Sequence, residues 1–571
     1  MRSISGKAPA VGAILLVLTL ILAACGSAPQ VVAPTQPAAT VAPPADATVA
    51  PPADATVAPP ADATVAPTSA AAAPTTTGAS GGRTLTVGMR ELVSSFDYPY
   101  DWNIASTWIH SNIGDCLVWR DRATAEFVPW LAESYEKVND TTWRMKLRQG
   151  VTFHNGEPFN AEAVKYTIDR IAADEKALVY NQWTFLKEVK IIDEANVEFA
   201  TTGPEPAFLS KMAGTGCQVV PPKYTEQVGS AGFSTAPIGT GPFKFVEWVK
   251  DDRITLEANP DYFGGAPGID TLIFRAVPED STRVAELLTG GVDLVVSVPI
   301  QDWERVQADT NLALDNFLTT QVMLLALRGG PSSTLAEFTG VTTNSKIRQA
   351  IAYAIDRKAI VELIGGMGVP TLTRVTPPTL GSNPDLYDKA GEYNPDRARE
   401  LLKEAGYNGE PLVFHSAPAQ TMQKEVTEAI VAMLEEVGLK IDLQFMELTT
   451  FREQIYAPRK NLELYMDALG NTFFDPWIAV QSERSDQRQR SGWAGAEADQ
   501  ADKLIREAAV NMDPEARSKQ YQELQTLLTA ENGGPYVYLY RMKDTLARNK
   551  RVNYAAAPDG FLWFGKASVQ P

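Results

Sequence analysis

The chain has 571 residues, 44% of them hydrophobic, and a formal charge of −18. A single hydrophobic core stops growing near ~250–300 residues, so at least two domains are expected. The acidity excludes a nucleic-acid partner, which needs a basic face, and argues against docking on anionic lipid head groups.

At the N-terminus, Arg2 and Lys7 precede an apolar run from Ala10 to Ala24. The run is shorter than the ~20 residues of a membrane-spanning helix and fits a signal-peptide core. It ends in Leu22-Ala23-Ala24-Cys25-Gly26, which resembles a bacterial lipoprotein cleavage site with Cys25 as the lipidated residue. Residues 1–25 are read as that signal and 26–82 as a tether, because "ATVAPPAD" occurs three times in register from Ala39 to Asp62. Such a segment has too little apolar surface to offset its ordering entropy. The remainder is expected outside the cell, anchored to the membrane through Cys25 and periplasmic if an outer membrane exists. Cys116 and Cys217 complete the three cysteines. An exported chain can pair them, and two buried free thiols are the alternative.

From Arg83 strands and helices alternate, which places the chain in the α/β class. "RTLTVGM" reads as a strand. In "TTWRMKLRQGVTF", Trp143, Met145 and Leu147 alternate as in a half-buried strand. "HNGEP" is a turn in which Asn155-Gly156 supplies positive φ, and Asn160 caps a helix whose Ala161, Val164, Ile168 and Ile171 face a core. His154 has no second metal-ligand residue near it, so it is read as scaffold. Asn394, Pro395 and Gly406 bracket a further helix. Strand, helix and strand follow between Pro411 and Glu447, a unit that implies parallel strands.

The stretches Leu131–Glu136 and Leu147–Ile171 resemble the family 5 extracellular solute-binding proteins of ABC importers, which include dipeptide-, oligopeptide- and nickel-binding members. The similarity continues in "IGTGPFKFVEW", in Leu256–Val295, in "KIRQAIAYAIDRKAIV" and in "YNPDRARELLKEAGY". The resemblance implies a two-lobed periplasmic-binding-protein-like fold (type II, cluster C) with an extra subdomain in lobe I. Lobe I would hold residues 83–325 plus 541–571 and lobe II residues 326–540. The crossings are placed near Gln321–Arg328 and Tyr538–Thr545.

In peptide-binding relatives an aspartate of the second lobe grips the peptide's amino terminus. The matching stretch here, "DALGNTFFDPWIAV", has Asp475-Pro476 but Thr472 where that aspartate would stand. The resemblance thus points to Asn471, Thr472, Phe473, Asp475 and Trp477 as ligand contacts. "FDYPYDW" adds Tyr98, Tyr100 and Trp102, whose aromatic faces can bury apolar ligand surface. Oligopeptide is the ligand the family implies. The missing aspartate leaves an oligosaccharide or another neutral polar solute open, and so is a sensory receptor of the same fold. His110, His154 and His415 share no motif, so neither a nickel site nor any other metal or cofactor is expected. No nucleotide-binding loop, HExxH or GxSxG occurs, so the chain is read as a monomeric binding protein that serves ABC permease subunits, not as an enzyme.

Overall fold

The computed structural model describes residues 82–570, apart from 102, 123, 215, 331–337, 421, 457–461, 472, 487–490 and 558–559. The signal sequence, Cys25, nearly all of the tether, Trp102 and Thr472 lie outside the described residues. No helix among the described residues is long and apolar enough to cross a membrane.

An eleven-stranded mixed sheet runs through both lobes. Its spatial order is Ile441–Phe445, Leu412–Ser416, Leu464–Leu469, Leu312–Leu327, Tyr536–Asn549, Leu294–Val296, Thr84–Met89, Thr271–Ala276, Arg253–Ala258 and Phe243–Val249, with Gly368–Pro370 added beside Tyr536–Asn549. Strand Leu412–Ser416 pairs in parallel with both of its neighbours, and Thr84–Met89 does the same. The central pair, Leu312–Leu327 against Tyr536–Asn549, is antiparallel.

From Val322 to Leu327 that pair is buried on both faces. Met323, Leu325 and Leu327 join one core with Ile351, Phe414, Ile430 and Leu539. Val322, Leu324 and Ala326 point the other way, into a core with Ile505, Leu524, Tyr536 and Tyr538. The alternation is the period-two geometry of a strand, here apolar at every position because both sides are covered. The N-terminal end of the same strand packs elsewhere: Leu312 and Ala547 meet Val284, Leu287 and Val306. Between the two ends the pairing slips. Leu318 opposes Lys543, whereas Val322 opposes Arg541.

The extra subdomain is a four-stranded antiparallel sheet ordered Ala132–Asn139, Thr142–Leu147, Asn196–Thr201, Leu186–Asp193. Helix Ala161–Ala172 buries Ala161, Val164, Ile168 and Ile171, as its spacing requires, and the Asn160 side chain accepts from the Ala163 N–H. Gly156 has φ 87°, the left-handed turn expected of Asn-Gly. His154 serves this scaffold: its backbone N–H donates to the Gly239 carbonyl at 2.9 Å, and its Nε2 lies 3.0 Å from the Gly241 carbonyl. Helix Pro395–Glu404 is capped by Asn394 and ends before Gly406, at φ 70°.

Cys116 and Cys217 form a disulfide with Cα atoms 5.2 Å apart, which settles the open choice between pairing and free thiols. It spans 101 residues of sequence and closes the subdomain's connection to the first lobe. Closing so long a loop restricts the unfolded chain. We expect Cys116→Ser/Cys217→Ser to lose about 2–4 kcal/mol in urea unfolding, and reducing agent to have the same effect on the unsubstituted protein.

Burial lowers the His154 pKa to about 4, with its bond to Gly241 opposing and Lys244 assisting. The folded-state value lies below the unfolded value, so stabilisation is complete above pH ~6.5 and is lost as pH falls toward 4. Urea unfolding at pH 7 and pH 4.5 should show His154→Gln losing about 2–3 kcal/mol less than wild type across that interval.

Candidate functional site

A cavity of about 1000 Å³ is lined both by residues that precede strand Leu312–Leu327 in sequence and by residues that follow it. One wall begins with helix Ile104–Ile113, started by Asn103, whose side chain accepts from the Ser106 N–H at 2.7 Å. Thr107, Trp108 and Ser111 of this helix face the cavity, a spacing that lies on one helical face. Asn112, on the buried side, holds the C-terminal segment by two bonds: its Nδ2 donates to the Leu562 carbonyl at 3.0 Å and its Oδ1 accepts from the Phe564 N–H at 2.9 Å. That clamp presents Phe561 to the cavity beside Trp119, with ring centroids 6.0 Å apart. The Arg122 guanidinium lies over Phe561, 3.7 Å from the ring centroid.

The opposite wall comes from residues that follow strand Leu312–Leu327: Gly470, Phe473, Trp477, Gln481 and Arg484, with Arg374 beside them. Arg374 Nη2 donates to the Gly470 carbonyl at 2.9 Å. The floor includes Thr320 and Gln321, which sit where the central strand pair slips register.

The walls touch at one edge. Ser210 Oγ donates to the Phe473 carbonyl at 2.6 Å and accepts from Arg120 Nη2 at 2.7 Å. The Lys211 ammonium lies 4.4 Å from the Trp477 ring centroid and 4.3 Å from that of Phe185, and it is paired with Glu205 at 2.6 Å. A cation held between two rings is stabilised by their quadrupoles, more so when buried. The contacts span segments on either side of the central strands, so they clasp the lobes beside the cavity.

Phe473 and Trp477, singled out from sequence, line the cavity. Asn471 is buried behind them; its Nδ2 donates to Thr379 Oγ1 at 3.4 Å, and its Oδ1 has no donor among the described residues. Asp475 has a different task from the ligand contact expected of it. Its carboxylate takes two bonds from Arg517, at 2.8 and 2.7 Å, and accepts the Trp477 N–H at 2.9 Å as the cap of helix Pro476–Val480. Burial acts to lower the Arg517 pKa, but Asp475 outweighs it and holds the guanidinium above its ordinary value. The pair fixes a loop that carries Phe474 at φ 50°, an unfavourable conformation for a bulky residue.

Tyr98 and Tyr100 do not reach the cavity either. Tyr98 is buried against His110 and Phe233. The Tyr100 hydroxyl donates to Asp174 at 2.5 Å; burial first, and then this bond, push its pKa up to about 12. The reason is Asp97, fully buried just before them in sequence and paired with Arg170 at 2.8 Å, which draws the segment inward. Sequence reading missed Trp119, Arg122, Lys211, Gln218, Arg374, Arg484 and Phe561. They come from stretches far apart in the chain and form no recognisable motif. No group of acidic, histidine or cysteine side chains fit to hold a metal occurs among the described residues.

Residues 126–490 match the family described as bacterial extracellular solute-binding proteins, family 5 middle. The chain is 27% identical over 465 residues to the glutathione-binding protein GsiB of Pectobacterium atrosepticum, covering 77% of this chain and 85% of that one. Its fold is similar to that of the oligopeptide-binding protein AppA of Bacillus subtilis in complex with a nonapeptide, with TM-score 0.70 and 24% identity over 86% of this chain and 99% of that one. The substrate-binding protein CtaP of Listeria monocytogenes superposes with TM-score 0.75 at 21% identity, over 86% of this chain and 99% of that one.

Asp475→Ala should leave the Arg517 guanidinium buried without its partner. A loss of about 3–5 kcal/mol in urea unfolding is expected, far more than a change on a solvent-exposed wall would bring. The family match covers most of the folded chain, and the protein belongs to the family 5 extracellular solute-binding proteins of ABC importers, a family of binding proteins and not of enzymes.

Proposed function

We propose that the protein captures a peptide or peptide-like solute in the cavity between its lobes and delivers it to an ABC permease. The observation that carries this reading is the cavity itself: about 1000 Å³, walled from both lobes and floored by the strands that join them. That volume lies at the upper end of the ~300–1000 Å³ range for small-ligand sites and suits an oligopeptide. The peptide-related names of the GsiB and AppA relatives support the same class. Trp477 and Phe473 are the contacts we assign from the second lobe, and Trp119 and Phe561 those from the first.

Residues 83–318 with 543–571 form the first lobe in this reading, and 322–541 the second. The register break at Leu318/Val322 is the hinge. A ligand touching both walls favours the closed form by its differential affinity for it. The Cys25 motif supports a lipid anchor, with residues 26–82 as a tether that lets a monomeric head move above the membrane. A neutral sugar would find aromatic faces to stack on, but Arg122 already covers Phe561.

Small-angle scattering of the chain with and without a tripeptide library tests capture. A smaller radius of gyration with bound peptide is expected, and Phe473→Ala/Trp477→Ala should weaken binding by roughly tenfold or more. Profiles unchanged by every peptide that binds would overturn the hinge. Mass spectrometry of the membrane-extracted protein should find acyl groups on Cys25.

A further inference from the structure

The charge of the solute is written in the cavity wall. Among the described lining residues four are cationic, Arg122, Lys211, Arg374 and Arg484, and none is an aspartate or glutamate. The whole chain has 69 acidic residues against 51 basic ones, so a wall drawn at random would hold more acids than bases. Arg122 and Lys211 precede the central strand Leu312–Leu327 in sequence and Arg374 and Arg484 follow it, so the positive charge comes from both sides of the cleft.

Carboxylates stand behind the wall. Lys211 pairs with Glu205 at 2.6 Å and Arg484 with Asp486 at 2.7 Å. Neither acid lines the cavity. A second feature points to the ligand independently. Gln218 lines the same cavity and is only 4% exposed, and its amide Oε1 has no donor among the described residues. A buried acceptor left unmatched is costly, so it calls for an N–H or O–H from the guest.

We propose that the captured solute is an anion: a compound of peptide size bearing two or more carboxylates and an amide or hydroxyl donor, with no requirement for a free ammonium group. The inference rests on the capture reading above and specifies its ligand. An ammonium group would meet no carboxylate among the described lining residues, and burying a charge without a partner is unfavourable. Carboxylates would meet charge-assisted donors from both walls. Closure of the empty cleft brings like charges nearer to one another. An anion between them reverses that term, so it favours the closed form over the open one.

Calorimetric titration of the full chain with N-acetyl-Glu-Glu-Glu and with N-acetyl-Gln-Gln-Gln-amide separates charge from shape, and scattering on the same samples reports closure. The acidic peptide should bind at least about tenfold tighter, with the advantage shrinking as salt is raised. Arg374→Gln and Arg122→Gln should each weaken the acidic peptide by about tenfold and the neutral one by less than about threefold, with melting temperatures close to wild type. Equal or tighter binding of the neutral peptide overturns the inference and leaves capture standing. An acidic preference that survives both substitutions also overturns it, because the charge would then act from elsewhere. Failure of every peptide to bind or to close the cleft removes the capture reading and this inference together.

Discussion

Two antiparallel strands, Leu312–Leu327 and Tyr536–Asn549, form the central pair of the sheet, and the wider of the two irregularities in their pairing interrupts the ladder between Leu318 and Val322. On one side of the interruption they belong to the core around Val284 and Val306; on the other they are buried in the two cores of the second lobe. At the break, side chains take over from the ladder. Arg541 Nε donates to the Thr319 carbonyl at 2.7 Å, and Thr319 Oγ1 donates to the Met542 carbonyl at 3.0 Å. Side-chain bonds of this kind can exchange with less cost than a row of backbone bonds inside a packed sheet. Thr320 and Gln321 lie in the same interruption and form part of the cavity floor. In the proposed reading, the hinge and the floor beneath a captured guest are therefore the same few residues.

The clasp at the cavity edge depends on a loop that must be held in shape before it can touch anything. Asp475 and Arg517 do that work without lining the cavity themselves. A buried ion pair of this kind adds little net stability compared with apolar residues of equal volume. Here its use is positional: it sets Trp477 against Lys211 and turns the Phe473 carbonyl to Ser210. The Asp-Pro pair that resembles the relatives' ligand loop is, in this chain, the anchor of that loop.

The regular elements were legible in the sequence because their signals are local. Asn394, Pro395 and Gly406 bound a helix within a single short stretch, and Asn155-Gly156 needs only its own backbone to make a turn. The strand–helix–strand unit between Pro411 and Glu447 was legible for the same reason, and its parallel pairing follows. The exception is Phe445, which alternates correctly but lies 41% exposed, because its strand is the edge of the sheet. The cavity was not legible, since its lining is gathered from segments hundreds of residues apart. Tyr98 and Tyr100 show the converse. They follow the first strand closely in sequence, yet the Asp97–Arg170 pair, 73 residues apart, pulls their loop into the interior.

An acidic exterior around a basic cleft has a kinetic consequence. At physiological ionic strength the Debye length is about 8 Å, so the chain's net charge of −18 reaches a solute only weakly at a distance. For an anionic guest what remains of that field is repulsive, and the attraction begins inside the cleft, close to Arg122, Lys211, Arg374 and Arg484. Encounter would then proceed without electrostatic steering, and selectivity would be set by how long the closed form persists, not by how often the guest arrives. A cleft that holds its charge inward, behind walls that touch at Ser210 and Lys211, is suited to that regime.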